Sequence, residues 1–203
     1  MFLPDDGMIG VELDLSAAEA SINYIITYML TGRKDLYEKA HLRPDEYDQH
    51  TENASFIFNT PTDQITKTQR QLGKSTVHGA WRDMQGQRLS DSLLKEGHTF
   101  TPQECEQFIV AYKQRMVGID EYFRWCRRQA IEHRYVENSW GRRLYFTYDR
   151  FSDELYRRCY SFYPQAEIGD WMNQLGLVPF WWYIQEESRR EGVPLASINV
   201  QPH

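Results

Sequence analysis

An α+β chain, mostly helical, is predicted by three observations. Helix-start and helix-stop signals punctuate most of the sequence. Apolar residues between them recur every three or four positions. Runs rich in β-formers fall only near the two ends and in one short stretch between.

The elements follow in order. MIGVELDL (8–15) partly alternates apolar and polar residues and reads as a strand. Ser16 with Glu19 three residues on is a capping-box pattern, and the helix it opens runs through AAEASINYIITYML to end near Gly32. A polar, charged stretch containing Pro44 comes next. DQHTENASFIFN (48–59) reads as a short amphipathic helix. The turn Thr60-Pro61-Thr62-Asp63 leads to a longer helix from about Thr66, which gives way near Gly86 to another in RLSDSLLKEG. Thr101-Pro102-Gln103-Glu104 combines an N-cap, a first-turn proline and a capping-box glutamate. The apolar spacing after it, through Phe108, Tyr112 and Met116 and then Ile119, Tyr122, Phe123 and Cys126, predicts a helical pair. YVENSWGRRLYF (135–146) reads as a hairpin. Helix is expected from Ser152 to about Glu191, broken by Gly192-Val193-Pro194, and LASINV (195–200) reads as a last strand. The two end strands are placed to share one sheet, with the helical middle as an insertion.

Composition narrows the classes. Of 203 residues, 41% are hydrophobic and 26% charged, enough to build a core rather than a disordered tail. The net charge of −6 excludes a whole-protein basic footprint, so any polyanion must be met by local patches. Three cysteines without a CxxC pair speak against a disulfide framework or zinc ribbon and for a reducing cytoplasm. No apolar run is long enough for a membrane-spanning helix, and the N-terminus lacks a signal-peptide layout. Phosphate-loop, dinucleotide, zinc-protease and serine-hydrolase signatures are all absent from the sequence.

The chemistry-bearing residues cluster in a few places. Arg70, Lys74 and His78 are four residues apart, so on a helix each step drifts only about 40° and rises about 6 Å. They form one stripe, which is either a solvated basic face or a row of donors for a triphosphate. Asp14, at the end of the first strand, is either a magnesium ligand or an acid favoured near a helix N-terminus. His50 alone reads as structural or as a ligand. The Arg142-Arg143 pair either grips a phosphate or keeps a turn soluble. Phe180-Trp181-Trp182-Tyr183 reads as core or interface.

Taken in order, these segments resemble the polymerase I-type (family A) DNA polymerases. ELDLSAAEA is similar to the first palm motif, DYSQIE. DQHTENASFIF resembles the fingers segment DIHTETA. QRQLGKSTVHG (69–79) with Met84 resembles the R-x-x-x-K-x-x-x-aromatic-G fingers helix. YVENSWGRRLYF resembles VETxxGRRRY. Arg157 followed by Gln165 and Asp170 resembles the segment ending PIQGTAAD, and NVQPH (199–203) the start of VHDE. MFLPDDGM resembles the palm entry MFxPDPG.

The resemblance implies a division into palm (1–30), fingers with the hairpin (31–150) and palm continuation (151–203), with the fingers helices inserted between strands of a partial palm sheet. It implies template-directed nucleotidyl transfer to a primer 3′-hydroxyl with two Mg2+ ions, primer-template DNA and dNTPs as partners, and a bacterial or phage-infected host cytoplasm. Residue by residue, Asp14 and the Leu15 carbonyl would hold metal, and Glu19 would be the gate against a ribose 2′-hydroxyl. Arg70 and Lys74 would hold the triphosphate, with Lys74 acting in catalysis and His50 assisting at a phosphate. His78 takes the aromatic position that stacks on the nucleotide, and Arg82 completes the nucleotide-binding set. Arg142, Arg143, Arg157, Gln165 and His203 would meet DNA.

Departures from the pattern matter. Arg82 stands where a tyrosine is usual, so a Glu19–Arg82 ion pair is expected. Gly73 interrupts the fingers helix at a cost of about 1 kcal/mol relative to alanine. Ser161 replaces an asparagine, and Ala166-Glu167 replaces Gly-Thr. The third motif stops at His203 before its aspartate, so the isolated chain is expected to be inactive or to need a complementary polymerase chain. A catalytically inactive DNA- or nucleotide-binding remnant is the alternative.

Overall fold

The computed structural model describes residues 15, 17–43, 45–194 and 196. The expected strands at 8–15 and 195–200, and the sheet they would share, lie outside the described residues apart from Leu15 and Ala196. Helices dominate the rest: α1 (Ala18–Thr31), α2 (Lys34–Ala40), α3 (Gln49–Phe58), α4 (Lys67–Trp81), α5 (Gly86–Lys95), α6 (Pro102–Arg115) and α7 (Ile119–His133) precede a hairpin, and α8 (Asp153–Trp171) and α9 (Val178–Glu191) follow it. The hairpin pairs β1 (Tyr135–Glu137) with β2 (Arg143–Tyr145) antiparallel, Val136 opposite Leu144.

Local chemistry explains most boundaries. Thr66 and Thr101 each accept from the backbone N–H three residues on, while Gln69 and Glu104 reach back to complete capping boxes. Asp48 caps α3 by accepting from the His50 N–H at 3.0 Å. Gly32 closes α1 in the left-handed region, at φ 75°.

The charged stretch after Gly32, to which the sequence assigned no element, holds a two-turn helix, Lys34–Ala40, anchored by buried Leu36. Two expectations need correction. At the start of α1 the flanking residue is Ala17, at φ 52°, and Ser16 lies outside the described residues. The expected single helix from Ser152 to Glu191 is divided by a π-helical segment, Met172–Leu177, between α8 and α9.

The core gathers one face each of α1, α4, α6, α7 and α8 with the hairpin. Trp81 sits edge-on to Tyr122 with centroids 5.6 Å apart, and Phe123 stacks on Tyr160 at 4.1 Å. Their polar tips are satisfied inside. Tyr122 donates to the Tyr160 carbonyl at 2.8 Å, and the Tyr112 hydroxyl accepts from Trp81 Nε1 at 3.1 Å and Gln49 Nε2 at 2.6 Å. Cys105, Cys126 and Cys159 are buried and form no disulfide. No helix among the described residues is long and apolar enough to cross a membrane.

A candidate nucleotide-binding site on the fingers helix

Helix α4 is the backbone of the site, and its packing begins at Gly73. A Cβ there would overlap the carbonyl oxygen of His50 and lie 3.0 Å from Ala54 Cβ. Only glycine lets α3 approach this closely. Asn53 seals the crossing by donating to the Gly73 carbonyl at 3.1 Å. The glycine that weakens the helix in isolation is therefore what seats it.

Four-residue spacing then arranges the polar face. Arg70 Nε reaches the Asp48 carboxylate at 2.5 Å, which ties the start of α4 to the cap of α3. Burial acts to raise the Asp48 carboxyl, but Arg70, Thr51 and the His50 N–H outweigh it and hold the group below its ordinary range. Lys74 is exposed one turn on. His78 Nδ1 lies 3.3 Å from Glu19 Oε2. Arg82 Nη2 lies 2.9 Å from the same oxygen and 3.1 Å from Oε1, so the ion pair expected from sequence is present. Although burial acts to raise the Glu19 carboxyl, the His78 hydrogen bond and the Arg82 charge bring it below the usual value. A half-exposed cationic row thus ends on a carboxylate that is held charged.

His50 lies beneath this row rather than on it. It is only 3% exposed, with its ring 5.6 Å from that of His78. Its Nδ1 has no hydrogen-bond partner among the described residues. Burial, with the neighbouring charges of His78, Arg70 and Lys74, pushes its pKa down to about 4, so it is neutral at physiological pH.

The DNA-facing candidates separate into two groups. Arg142 is held by Asp170, with Nε 2.9 Å from Oδ2, and Asn138 donates to the same oxygen at 2.7 Å. Glu167 accepts from the Ser139 N–H at 2.6 Å and from its hydroxyl at 2.8 Å. Two buried acids of α8 therefore clamp the hairpin. Glu167, noted in the sequence only as a departure, is one half of that clamp. Arg143 pairs with Glu137 and covers the Tyr135 ring at 4.5 Å. In the second group, Arg157, Arg158, Ser161 and Gln165 of α8 line a groove of about 530 Å3 with Arg88 of α5. Arg157 also donates to the Asp83 carbonyl at 3.1 Å.

Asp14 and His203 lie outside the described residues, and Leu15 is exposed. Among the described residues no group of three or more His, Cys, Asp or Glu side chains is arranged to hold a metal ion. The described residues therefore do not by themselves fit the magnesium site that the resemblance implies. Phe180-Trp181-Trp182-Tyr183 is not core: all four side chains are exposed on α9.

Comparison with known proteins bears on the family and the fold. The chain is 26% identical over 144 residues to the thermostable DNA polymerase I of Thermus aquaticus, a match covering 71% of this chain and 16% of that protein. It is 29% identical over 119 residues to the DNA polymerase of Bacillus phage SP01, covering 59% of this chain and 12% of the phage protein. The fold superimposes on the POL domain of the M. smegmatis polymerase, solved with DNA primer-template and dNTP. The TM-score is 0.64 at 20% identity, over 88% of this chain and 30% of that one. The chain thus spans a minor part of each of these proteins. With the family model for DNA polymerase family A matching residues 1–159, the chain belongs to DNA polymerase family A.

Proposed function

We propose that this chain supplies the nucleotide-binding fingers and the template-side groove of a template-directed DNA polymerase, with residues 1–30 and 151–203 belonging to its palm and 31–150 to its fingers. The observation that carries the reading is the α4 face, where Arg70 and exposed Lys74 lead to Glu19 held between His78 and Arg82. Charge-assisted donors in a row suit the oxygens of a triphosphate, and cations there offset negative charge that develops as pyrophosphate leaves. In this reading Lys74, free of any ion pair among the described residues, is the strongest phosphate donor. Arg70 turns from Asp48 to the triphosphate, and neutral His50 backs His78 beneath the nucleotide. Glu19 faces the sugar.

The groove lined by Arg88, Arg157, Ser161 and Gln165 takes the template strand in the same reading, which explains how an acidic chain meets DNA. Arg142, pinned by Asp170, shapes the hairpin beside it.

Equilibrium titration of the chain with a fluorescent deoxynucleoside triphosphate tests this. Lys74→Ala is expected to weaken binding at least tenfold, and Arg70→Ala to weaken it less, because Asp48 already holds that guanidinium. Unchanged affinity in both variants would remove the reading.

A further inference from the structure

We infer that Lys113 is a positioning residue for nucleic acid in the α8 groove: it occupies the Asp83 carboxylate, so that the charge of Arg157 stays available to a phosphate. The inference rests on the reading of that groove as a nucleic-acid site and goes beyond it.

Asp83 lies just past the end of α4, at φ 51°, in the left-handed region that aspartate enters more readily than most side chains. Its N–H returns to the Ala80 carbonyl at 3.2 Å. Its own carbonyl accepts from Arg157 Nε of α8 at 3.1 Å. The side chain is held by a different helix: Nζ of Lys113, in α6, lies 2.7 Å from Asp83 Oδ1. The same ammonium stands 5.1 Å from the centre of the Phe123 ring, a cation–π contact that fixes it from a second side. Arg127, which also feels the Asp83 charge, is held on the Tyr160 hydroxyl at 2.5 Å.

Asp83 thus offers Arg157 its carbonyl and Lys113 its carboxylate. A carbonyl orients a guanidinium without neutralising it, whereas a carboxylate does both. Two other arginines of this region show the second case. Arg158 meets the Asp149 carboxylate at 3.3 Å, and Arg142 meets that of Asp170 at 2.9 Å. Arg157 makes one bond, through Nε, and its two Nη groups have no partner among the described residues. It lines the groove with Arg88, Ser161 and Gln165, so its open fork is presented to a phosphate there. The residue that seats it also carries a carboxylate able to close that fork. Without Lys113 this carboxylate is free to turn onto Arg157, and the groove loses a positive charge.

The test titrates a fluorescently labelled primer-template duplex with the chain and reads anisotropy between about 50 and 200 mM salt. Arg157→Gln is expected to weaken binding about fivefold and to lower the slope of log affinity against log salt by about one. Lys113→Met, which keeps the stem beside Phe123 and removes the charge, should do the same, and should add nothing in the Arg157→Gln background. The decisive variant is Asp83→Gly/Lys113→Met. Glycine takes the left-handed turn freely and carries no carboxylate, so affinity and slope should return to within about twofold of the wild type. A merely structural Lys113 predicts otherwise, because the double variant also lacks the ion pair and stays as weak as Lys113→Met. That result, or a wild-type slope in Lys113→Met, overturns the inference and leaves the groove reading in place. If Arg157→Gln leaves the slope unmoved, the phosphates do not lie in this groove and both fall.

Discussion

Helices α3 and α4 meet at a crossing so close that a single added methyl group has nowhere to go, whereas α9, a helix of comparable length, buries little more than Ile184 and leaves Phe180, Trp181, Trp182 and Tyr183 exposed. The contrast runs against composition. The close pair is built largely from polar residues, with Asn53, His50, Gln49 and Thr76 all buried. The loose helix carries the most aromatic run in the sequence. Hydrophobic content therefore does not decide which surfaces of this molecule are sealed. Backbone approach and polar matching do, at the point where Arg70, Lys74, His78 and Arg82 must be held in line.

The sharpest way to break the close pair is Gly73→Ala. In an open helix that change stabilises by about 1 kcal/mol. Here the new Cβ overlaps the His50 carbonyl, which is backbone and cannot rotate away. Separating the helices opens the Asn53 hydrogen bond and disturbs the buried residues around it. We expect a net loss of more than about 3 kcal/mol in urea unfolding. A neutral or stabilising result would mean that α3 and α4 are further apart than described.

A smaller effect comes from pH. The His50 pKa, depressed to about 4 by burial and neighbouring cations, lies below the ordinary histidine value of 6.5. The unfolded chain therefore binds more protons than the folded one between these values. Stability associated with His50 is fully present above about pH 6.5 and is lost as pH falls toward 4, at up to roughly 1.4 kcal/mol per pH unit. Glu19, Asp48 and Glu52, whose carboxyls are held low, add their losses further down, as pH falls through the acid range beneath the ordinary carboxylate values. In His50→Gln the slope between pH 6.5 and 5 should flatten. A slope equal to that of the wild type would assign the proton uptake elsewhere.

These two regions also show what was legible from the residues alone. Start and stop signals are local, so Thr101 with Glu104 marked the start of α6, Gly32 marked the end of α1, and the starts read at Asp48 and near Thr66 fall where α3 and α4 begin. The short helix at Lys34–Ala40 escaped because its single buried anchor, Leu36, sits among charges and gives no periodic stripe. The row from Arg70 to His78 followed from spacing, and its partner Glu19 only from the order of motifs, since the two are far apart in sequence. What Gly73 is for could not be read at all. In sequence it is a helix-weakening residue, and its role exists only once His50 is against it. Glu167 was hidden for the same reason, because a lone acid in a helix carries no sign of the Ser139 backbone it binds. The aromatic run on α9 was read as core or interface and its exposure removes only the first, because bulk and hydrophobicity say that a surface is coverable, not that it is covered.

That last point yields the smallest expected effect. Trp181 and Trp182 pack against each other, centroids 4.8 Å apart, so part of their area is hidden within the helix itself. The remainder faces outward, with Trp182 57% exposed. Replacing both with serine removes that mutual contact and a modest buried area, and substitutions at such exposed positions change stability by about 0.5 kcal/mol or less. Ile184, in the same helix but 5% exposed, provides the internal contrast. Its truncation to alanine should cost about 2 kcal/mol or more, because the cavity it leaves lies within packed structure. Both measurements share one helix, one propensity background and one denaturant assay, so their difference isolates burial. Equal losses from the two substitutions would mean that the tryptophan face is covered in solution, and that the contrast with the α3–α4 crossing is one of partner rather than of packing.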